Sequence, residues 1–435
     1  MKEILIILTC LFAVIVAIKI FNEKEFKIPG DIALVLFSFL LFCGVRIVTQ
    51  IFAIDLSGIV FYSFFQTFNL QEFLTEGVLC LILFAGASKI KLNKFVDSIK
   101  PITLLAFMGT IGFIVIFGFI LYGFCLIAHI NLNILHCLLI ASILSPTEPF
   151  VVLHTLLNHG FSKSLSVTLE GEALINDGVG IAIFVFLKDC IKHNTQTITL
   201  LEICELFFVR ILGAVVIGLV VSYLTFKLIK MTKGPLTHIY ISLFTVFLVF
   251  TICEHFELSG DIASVVSGIY FSYKKQKIEN WNSVVDPGGM YEQFWHIVGD
   301  MLNEMLFVLI GIYILFLDIN ITTILIALSV VIINVISRVL ATTLASLPLK
   351  KAYLSNYNKP EFIAITSWLG LRGGVSLALA LSTPAFIGEA SGLTIWIVYI
   401  IVFFTLVVQG LLSERFVSFV DKSKKARQIK NFKEN

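Results

Sequence analysis

Apolar residues in this chain come in long unbroken blocks rather than in the narrow stripes of an amphipathic soluble helix. A block of about 20 mostly apolar residues is long enough to cross a bilayer as a helix. Thirteen such blocks stand out: residues 3–21, 30–49, 72–90, 101–128, 134–157, 163–187, 200–229, 237–254, 258–273, 294–317, 321–347, 361–384 and 391–413. Residues 50–71, QIFAIDLSGIVFYSFFQTFNLQ, carry an aspartate and several polar groups, and are expected to form an extracytoplasmic loop or interfacial segment rather than a further span. The first block, Glu3–Phe21, lacks a small-x-small cleavage site and enters a charged loop, so it reads as a span and not as a signal peptide.

The polar stretches between blocks alternate in charge over nearly the whole chain, the loop near Lys188 and Lys192 being the one mild exception. Lys89, Lys91, Lys94 and Lys100 follow the third block, Lys227, Lys230 and Lys233 the seventh, Lys274, Lys275 and Lys277 the ninth, and Lys350, Lys351 and Lys359 the eleventh. Basic-poor loops around His129, Glu254–Asp261, Asp318 and Glu389 lie between them. Lysine and arginine collect on the cytoplasmic side, which places the amino terminus outside and the basic tail, residues 414–435, in the cytoplasm. An odd span count then sets spans 1–6 antiparallel to spans 8–13. The expected plan is a single transporter domain over 1–435, with inverted six-helix repeats at 1–187 and 237–413 joined by a linking span at 200–229.

Composition agrees with an all-α polytopic membrane protein in the cell membrane. The chain of 435 residues is 58% hydrophobic and 14% charged, more apolar surface than a soluble domain could hide. A net charge of +2, spread over loops, gives no reason to expect nucleic acid. The eight cysteines are scattered without metal-ligand spacing, and phosphate-loop, dinucleotide, zinc and hydrolase motifs are absent. The sequence therefore points away from an enzyme and toward no cofactor.

Two blocks are interrupted. In ILSPTEPF, residues 143–150, two prolines push Ser145 and Glu148 out of helical geometry, although apolar sequence continues on both sides. Non-helical backbone at bilayer depth is tolerated only where it lines a cavity or is buried in protein. About 225 residues later, SWLGLRGGVSLALAL (367–381) sets Gly370, Gly373 and Gly374 around Arg372. Gly370 and Gly374 form a GxxxG pair that could serve helix packing, but packing does not explain the arginine. Paired breaks in corresponding spans point to a binding site, where half-helix dipoles meet and fixed charges compensate them.

The remaining deep charges lie close by in sequence or in kind. In TLEGEALINDGVGIAIF (168–184), Glu172 and Asn176 share a helix face, whereas Asp177 points about 140° away from Glu172 at ~100° per residue. A charge at a span centre costs about 2.5–3.5 kcal/mol, so each needs a partner or a function. Arg338, alone in the eleventh span, is expected to pair with Glu172 as a structural tie. Glu148, Glu172 and Asp177 against Arg338 and Arg372 leave one carboxylate uncompensated, room for one cation or one proton. Burial favours the neutral form of a carboxylic acid, so a proton competes with a cation for the same oxygens.

These residues carry a resemblance. SPTEP (145–149) is similar to a Ser-x-Thr-Asp-Pro break, EALINDG (172–178) to a Glu-Ser-x-x-Asn-Asp-Gly helix, GLRGG (370–374) to a second-break signature, and Arg338 to an Arg-Val-Leu element. Together, in order, they resemble the NhaP-type and NHE-type sodium/proton antiporters of the monovalent cation:proton antiporter superfamily. The resemblance implies an NhaA-like fold with two interrupted crossing helices, and a homodimer whose six-helix core moves against a dimerisation domain. It also implies that Asp177 carries the ion or proton, that Glu148 and the Thr147 carbonyl line the cation site, and that Asn176 marks electroneutral exchange. Sodium is the implied cation, with lithium and potassium as alternatives; a coupled carrier of another solute and a channel or sensor on the same scaffold are the other readings. Three positions depart from the pattern: Glu148 for an aspartate, Ala173 for a serine, and Ala85 where many relatives carry an acid.

Overall fold

The computed structural model describes residues 2–52, 77–89, 97–158, 161–192, 200–232, 234–278, 286, 289–315, 320–355, 357–388 and 390–434. Most of the expected interfacial segment 50–71, together with Lys91, Lys94, Lys233, Asp318 and Glu389, lies outside the described residues. Among the described residues the secondary structure is helical throughout, without a β-strand.

The chain begins with α1 (Lys2–Phe21), extended by a π turn at Asn22–Phe26, and α2 (Gly30–Ile51). Next come α3 (Leu79–Ser88) and α4 (Ile99–Ile127), the latter with a π segment at Leu104–Gly109. The first interrupted helix is α5 (Ile134–Ile143) and α6 (Phe150–Asn158). There follow α7 (Lys163–Lys192), α8 (Leu200–Met231), α9 (Pro235–His255), α10 (Gly260–Lys277), α11 (Met290–Ile312) and α12 (Ile321–Ser346). The second interrupted helix is α13 (Lys359–Trp368) and α14 (Gly374–Leu381). Last are α15 (Ala390–Phe403) and α16 (Gly410–Glu434), joined by a π segment at Phe404–Gln409. The basic tail is thus a continuation of the last helix rather than a free extension.

Among the described residues, eight helical segments are long and apolar enough, by length and composition, to cross a membrane. Ile47 and Ile51 of α2, Phe119 and Leu126 of α4, and Ile332 and Ile336 of α12 all point outward. Surface of this kind is stable only against lipid or another apolar partner. The chain is an integral membrane protein.

The helices form two bundles. In one, α10 packs on α3, α8 and α9, while α11 packs on α2 and α3. In the other, α12 packs on α4, α13 and α15, and α5 packs on α4 and α7. Lipid supplies no hydrophobic force between helices, so close approach over small residues has to hold them together. Gly268 of α10 shows this: a Cβ there would lie 2.5 Å from Ala87 Cβ and 2.8 Å from the Phe84 carbonyl of α3. The bundles meet where α7 touches α10 and α11 touches α14.

The two interrupted helices are built alike. Each opens on an asparagine N-cap: Asn133 Oδ1 accepts from His136 N (2.8 Å), and Asn358 Oδ1 from Glu361 N (2.9 Å). An N-cap of this kind satisfies a backbone donor that the first turn leaves free. The first half-helix of each is 10 residues long, the second 9 and 8 residues. Asn358 follows Asn133, and Trp368 follows Ile143, by the same 225 positions.

Candidate functional site

The two breaks face each other and are bonded backbone to backbone, Glu148 N donating to the Leu371 carbonyl (2.8 Å). Four half-helix ends therefore converge, each with unsatisfied backbone groups. At the carbonyl end of α5, Arg372 Nη1 donates to the Ser145 oxygen (2.9 Å) and the Pro146 oxygen (3.4 Å). At the amide end of α14, the Gly374 N–H meets the Glu148 carboxylate. A cation thus sits where the dipole is negative and an anion where it is positive. Arg372 is fully buried, lies over the Phe113 ring at 4.3 Å, and takes its backbone partner from Thr405 Oγ1 (3.0 Å).

Two glycines of the second break are forced by space. Any Cβ on Gly373 would strike Glu148 Oε2, and one on Gly370 would lie 2.5 Å from Arg338 Nε. The glycines let two long charged side chains lie flat on the broken backbone. Gly374 is held likewise against Leu306 of α11.

From the break a polar chain runs into α7 and α12. Asn176 Nδ2 donates to Thr147 Oγ1 (2.7 Å) and to Glu172 Oε1 (3.0 Å). Arg338 Nη2 donates to the same Glu172 oxygen (3.0 Å), and all four side chains are buried. Glu172 and Asn176 share a face because they are four apart on one helix. Asp177, next in sequence, turns away from that chain, as the angular spacing on α7 requires. It faces the Thr147 N–H, and its Oδ1 is shielded from solvent without any hydrogen-bond partner.

Asp177, Glu148 and Thr147 line a cavity of about 420 Å³, together with Asp31, Leu174 and Val375. Its rim is charged: Lys89 pairs with Asp300 (3.4 Å), which also accepts from His296 Nδ1 (2.7 Å), and Lys19 pairs with Glu304 (2.6 Å). Among the described residues no group of three or more His, Cys, Asp or Glu is placed to hold a metal ion.

The model of the transmembrane sodium/hydrogen exchanger family matches residues 11–418. The chain belongs to that family. It is 31% identical over 346 residues to the Na+/H+ antiporter NhaP of Pseudomonas aeruginosa, covering 79% of this chain and 80% of that one. It is 29% identical over 350 residues to the low-affinity Na+/H+ antiporter NhaS1 of Synechocystis, covering 79% of this chain and 64% of that one. The chain therefore spans a little under two thirds of the length of the latter relative. The solved structure of the sodium proton antiporter MjNhaP1 from Methanocaldococcus jannaschii shares the fold, with a TM-score of 0.75, 16% identity, and coverage of 95% of this chain and 98% of that one.

In this exchanger-family chain, Asp31 is one of several cavity residues, with Asp300, Asn303 and Glu304, that the sequence analysis did not single out. It stands in the first turn of α2, close enough to Glu148 for their charges to interact. At the edge of an apolar block an acid looks like an ordinary loop residue, so nothing in the run itself marks it. Ala85 is buried, and it packs beneath Gly299, where a Cβ would lie 3.2 Å from it. Ala173 is also buried, and neither alanine lines the cavity.

Proposed function

We propose that this exchanger-family chain is a secondary antiporter that exchanges a monovalent cation, sodium foremost, for a proton across the cell membrane. The observation that carries the reading is Asp177, a residue on the wall of a cavity where two interrupted helices cross, one of whose carboxylate oxygens, Oδ1, has no hydrogen-bond partner. An anion so placed must be neutralised, and either a cation or a proton does it. Because one group serves both, occupancy by one excludes the other, and flux of the two is coupled in opposite directions. Thr147 and Glu148 supply the neighbouring oxygens, while Asn176, Glu172 and Arg338 fix the helix that presents Asp177. Gly370, Arg372, Gly373 and Gly374 keep the crossing compact.

The finer plan belongs to the same reading. Thirteen spans form two inverted repeats with the amino terminus outside, and two chains form a dimer. The bundle that contains the crossing moves against the other bundle to expose Asp177 to each face in turn. Asparagine at 176, rather than a second acid, makes the exchange one for one and electroneutral. Support comes from the names of the relatives and from the Asp177 oxygen at the crossing that has no hydrogen-bond partner.

Reconstituted vesicles test it. Wild-type protein is expected to dissipate a proton gradient when sodium or lithium is added, and Asp177→Asn to fall to the rate of empty vesicles with its melting temperature unchanged. Undiminished dissipation in Asp177→Asn would remove Asp177 as the carrier residue.

A further inference from the structure

A second cavity, of about 350 Å³, lies further along α7. Ala182, Val185 and Asp189 of α7 bound it, with Arg210 of α8, Glu254 of α9 and Asp261 of α10. Leu174 and Asp177 line the first cavity, so the two cavities occupy successive stretches of one helix. From Asp177 to Asp189 the helix rises about 18 Å, at ~1.5 Å per residue. The second cavity thus lies toward the opposite membrane face.

Between them α7 touches α10. A Cβ on Gly178 would lie 3.3 Å from Ile262 Cγ1, so nothing larger than glycine fits without displacement. Gly178 follows Asp177 in the chain, and Ile262 follows Asp261. The two aspartates therefore flank one glycine–isoleucine contact, each beside its own cavity.

Asp261 resembles Asp177 in its chemistry. Its Oδ1 is shielded from solvent and has no hydrogen-bond partner. Ser259 Oγ accepts from Ile262 N (3.3 Å) and Arg210 pairs with Asp189 (2.8 Å), while Lys188 and Glu257, which also line the cavity, are not among the charges that act on Asp261. The charge that acts on Asp261 is Glu254, which has the same sign. A carboxylate with one oxygen shielded and a second acid beside it is stabilised by a positive partner.

We infer that Asp261 is a second cation-handling carboxylate, meeting the monovalent cation on the face opposite the first cavity, with the Gly178–Ile262 contact as the barrier between the two. This rests on the exchange reading above. The first cavity admits the cation to Asp177 from one side; the second brings it to within one helix contact of the same residue from the other.

Two measurements decide it. In vesicles of both orientations, Asp261→Asn is expected to raise the half-saturating sodium concentration about fivefold (~1 kcal/mol) on the second cavity's face. The value on the other face and the maximal rate stay at wild type, and Asp261→Glu restores the affinity. An equal change on both faces, or none, overturns the inference. Independently of transport, Val185→Cys is placed in a chain lacking its native cysteines and labelled with a membrane-impermeant thiol reagent. Sodium is expected to slow labelling relative to choline, and Asp261→Asn to abolish that protection. Equal labelling in sodium and choline overturns the inference even if exchange is observed. Protection that depends on Asp261, without any exchange by wild type, would instead remove the exchange reading and leave the cation site standing.

Discussion

At the residue scale, the Glu148 carboxylate meets the first backbone amide of α14, presses on Gly373 and borders the cavity, so its length matters at three contacts. Shortening it by one methylene withdraws the charge from the helix end and widens the space beside Asp177. Glu148→Asp is accordingly expected to retain transport and change the order of preference among lithium, sodium and potassium, read from gradient dissipation with each cation. An unchanged order would take Glu148 out of the cation's surroundings. Asp177, Glu172 and Arg338 stand out in the sequence because a charge inside an apolar block is costly and rare. Asp31 and Asp261 do not, because both stand at helix starts, where the sequence alone cannot distinguish a solvated acid from one folded back over a cavity.

At the scale of elements, the ion pair between Glu172 and Arg338 joins α7 to α12 and, through Gly370, steadies the second break. Removing one partner strands a buried charge at a cost of about 3–5 kcal/mol, whereas replacing both with apolar or neutral groups of similar volume is close to neutral. Arg338→Met should therefore melt well below wild type in detergent, and Arg338→Met with Glu172→Gln should recover most of the loss. Equal melting of all three proteins would show that the pair contributes nothing to holding the helices together. Prolines and glycines make both breaks legible in the sequence, since each acts on the backbone directly. The π segments at Leu104–Gly109 and Phe404–Gln409 are not legible there, because an extra residue in a helical turn leaves no mark on composition. The contact partners of the breaks are equally hidden: which carbonyl receives Arg372 depends on how two distant helices cross.

For the whole molecule, Leu236, Tyr240, Phe244 and Phe247 make an exposed apolar stripe along α9, and Leu5, Phe12, Val16 and Ile20 a second one on α1. Lipid alone accommodates such faces, but both belong to the bundle that the proposed mechanism holds still. Light scattering of purified protein is expected to give the mass of two 48.5 kDa chains. Cysteines placed singly at Tyr240 should then yield a covalent pair on oxidation. A mass of one chain, with no covalent pair, would show that the bundle works alone. The long apolar blocks make the membrane character readable at this scale. The partition into two bundles is not, since block order along a chain says little about which blocks become neighbours.

The hydrogen bond from Glu148 N to the Leu371 oxygen joins main chain to main chain, and no side-chain replacement short of proline at 148 can delete it. With Arg372 also clasping the carbonyls of the opposite break, the crossing behaves as a single rivet and not as a pair of hinges. In the proposed cycle, turnover then rests on sliding surfaces around that rivet, and a ligand that jams the α7–α10 seam is expected to stall exchange.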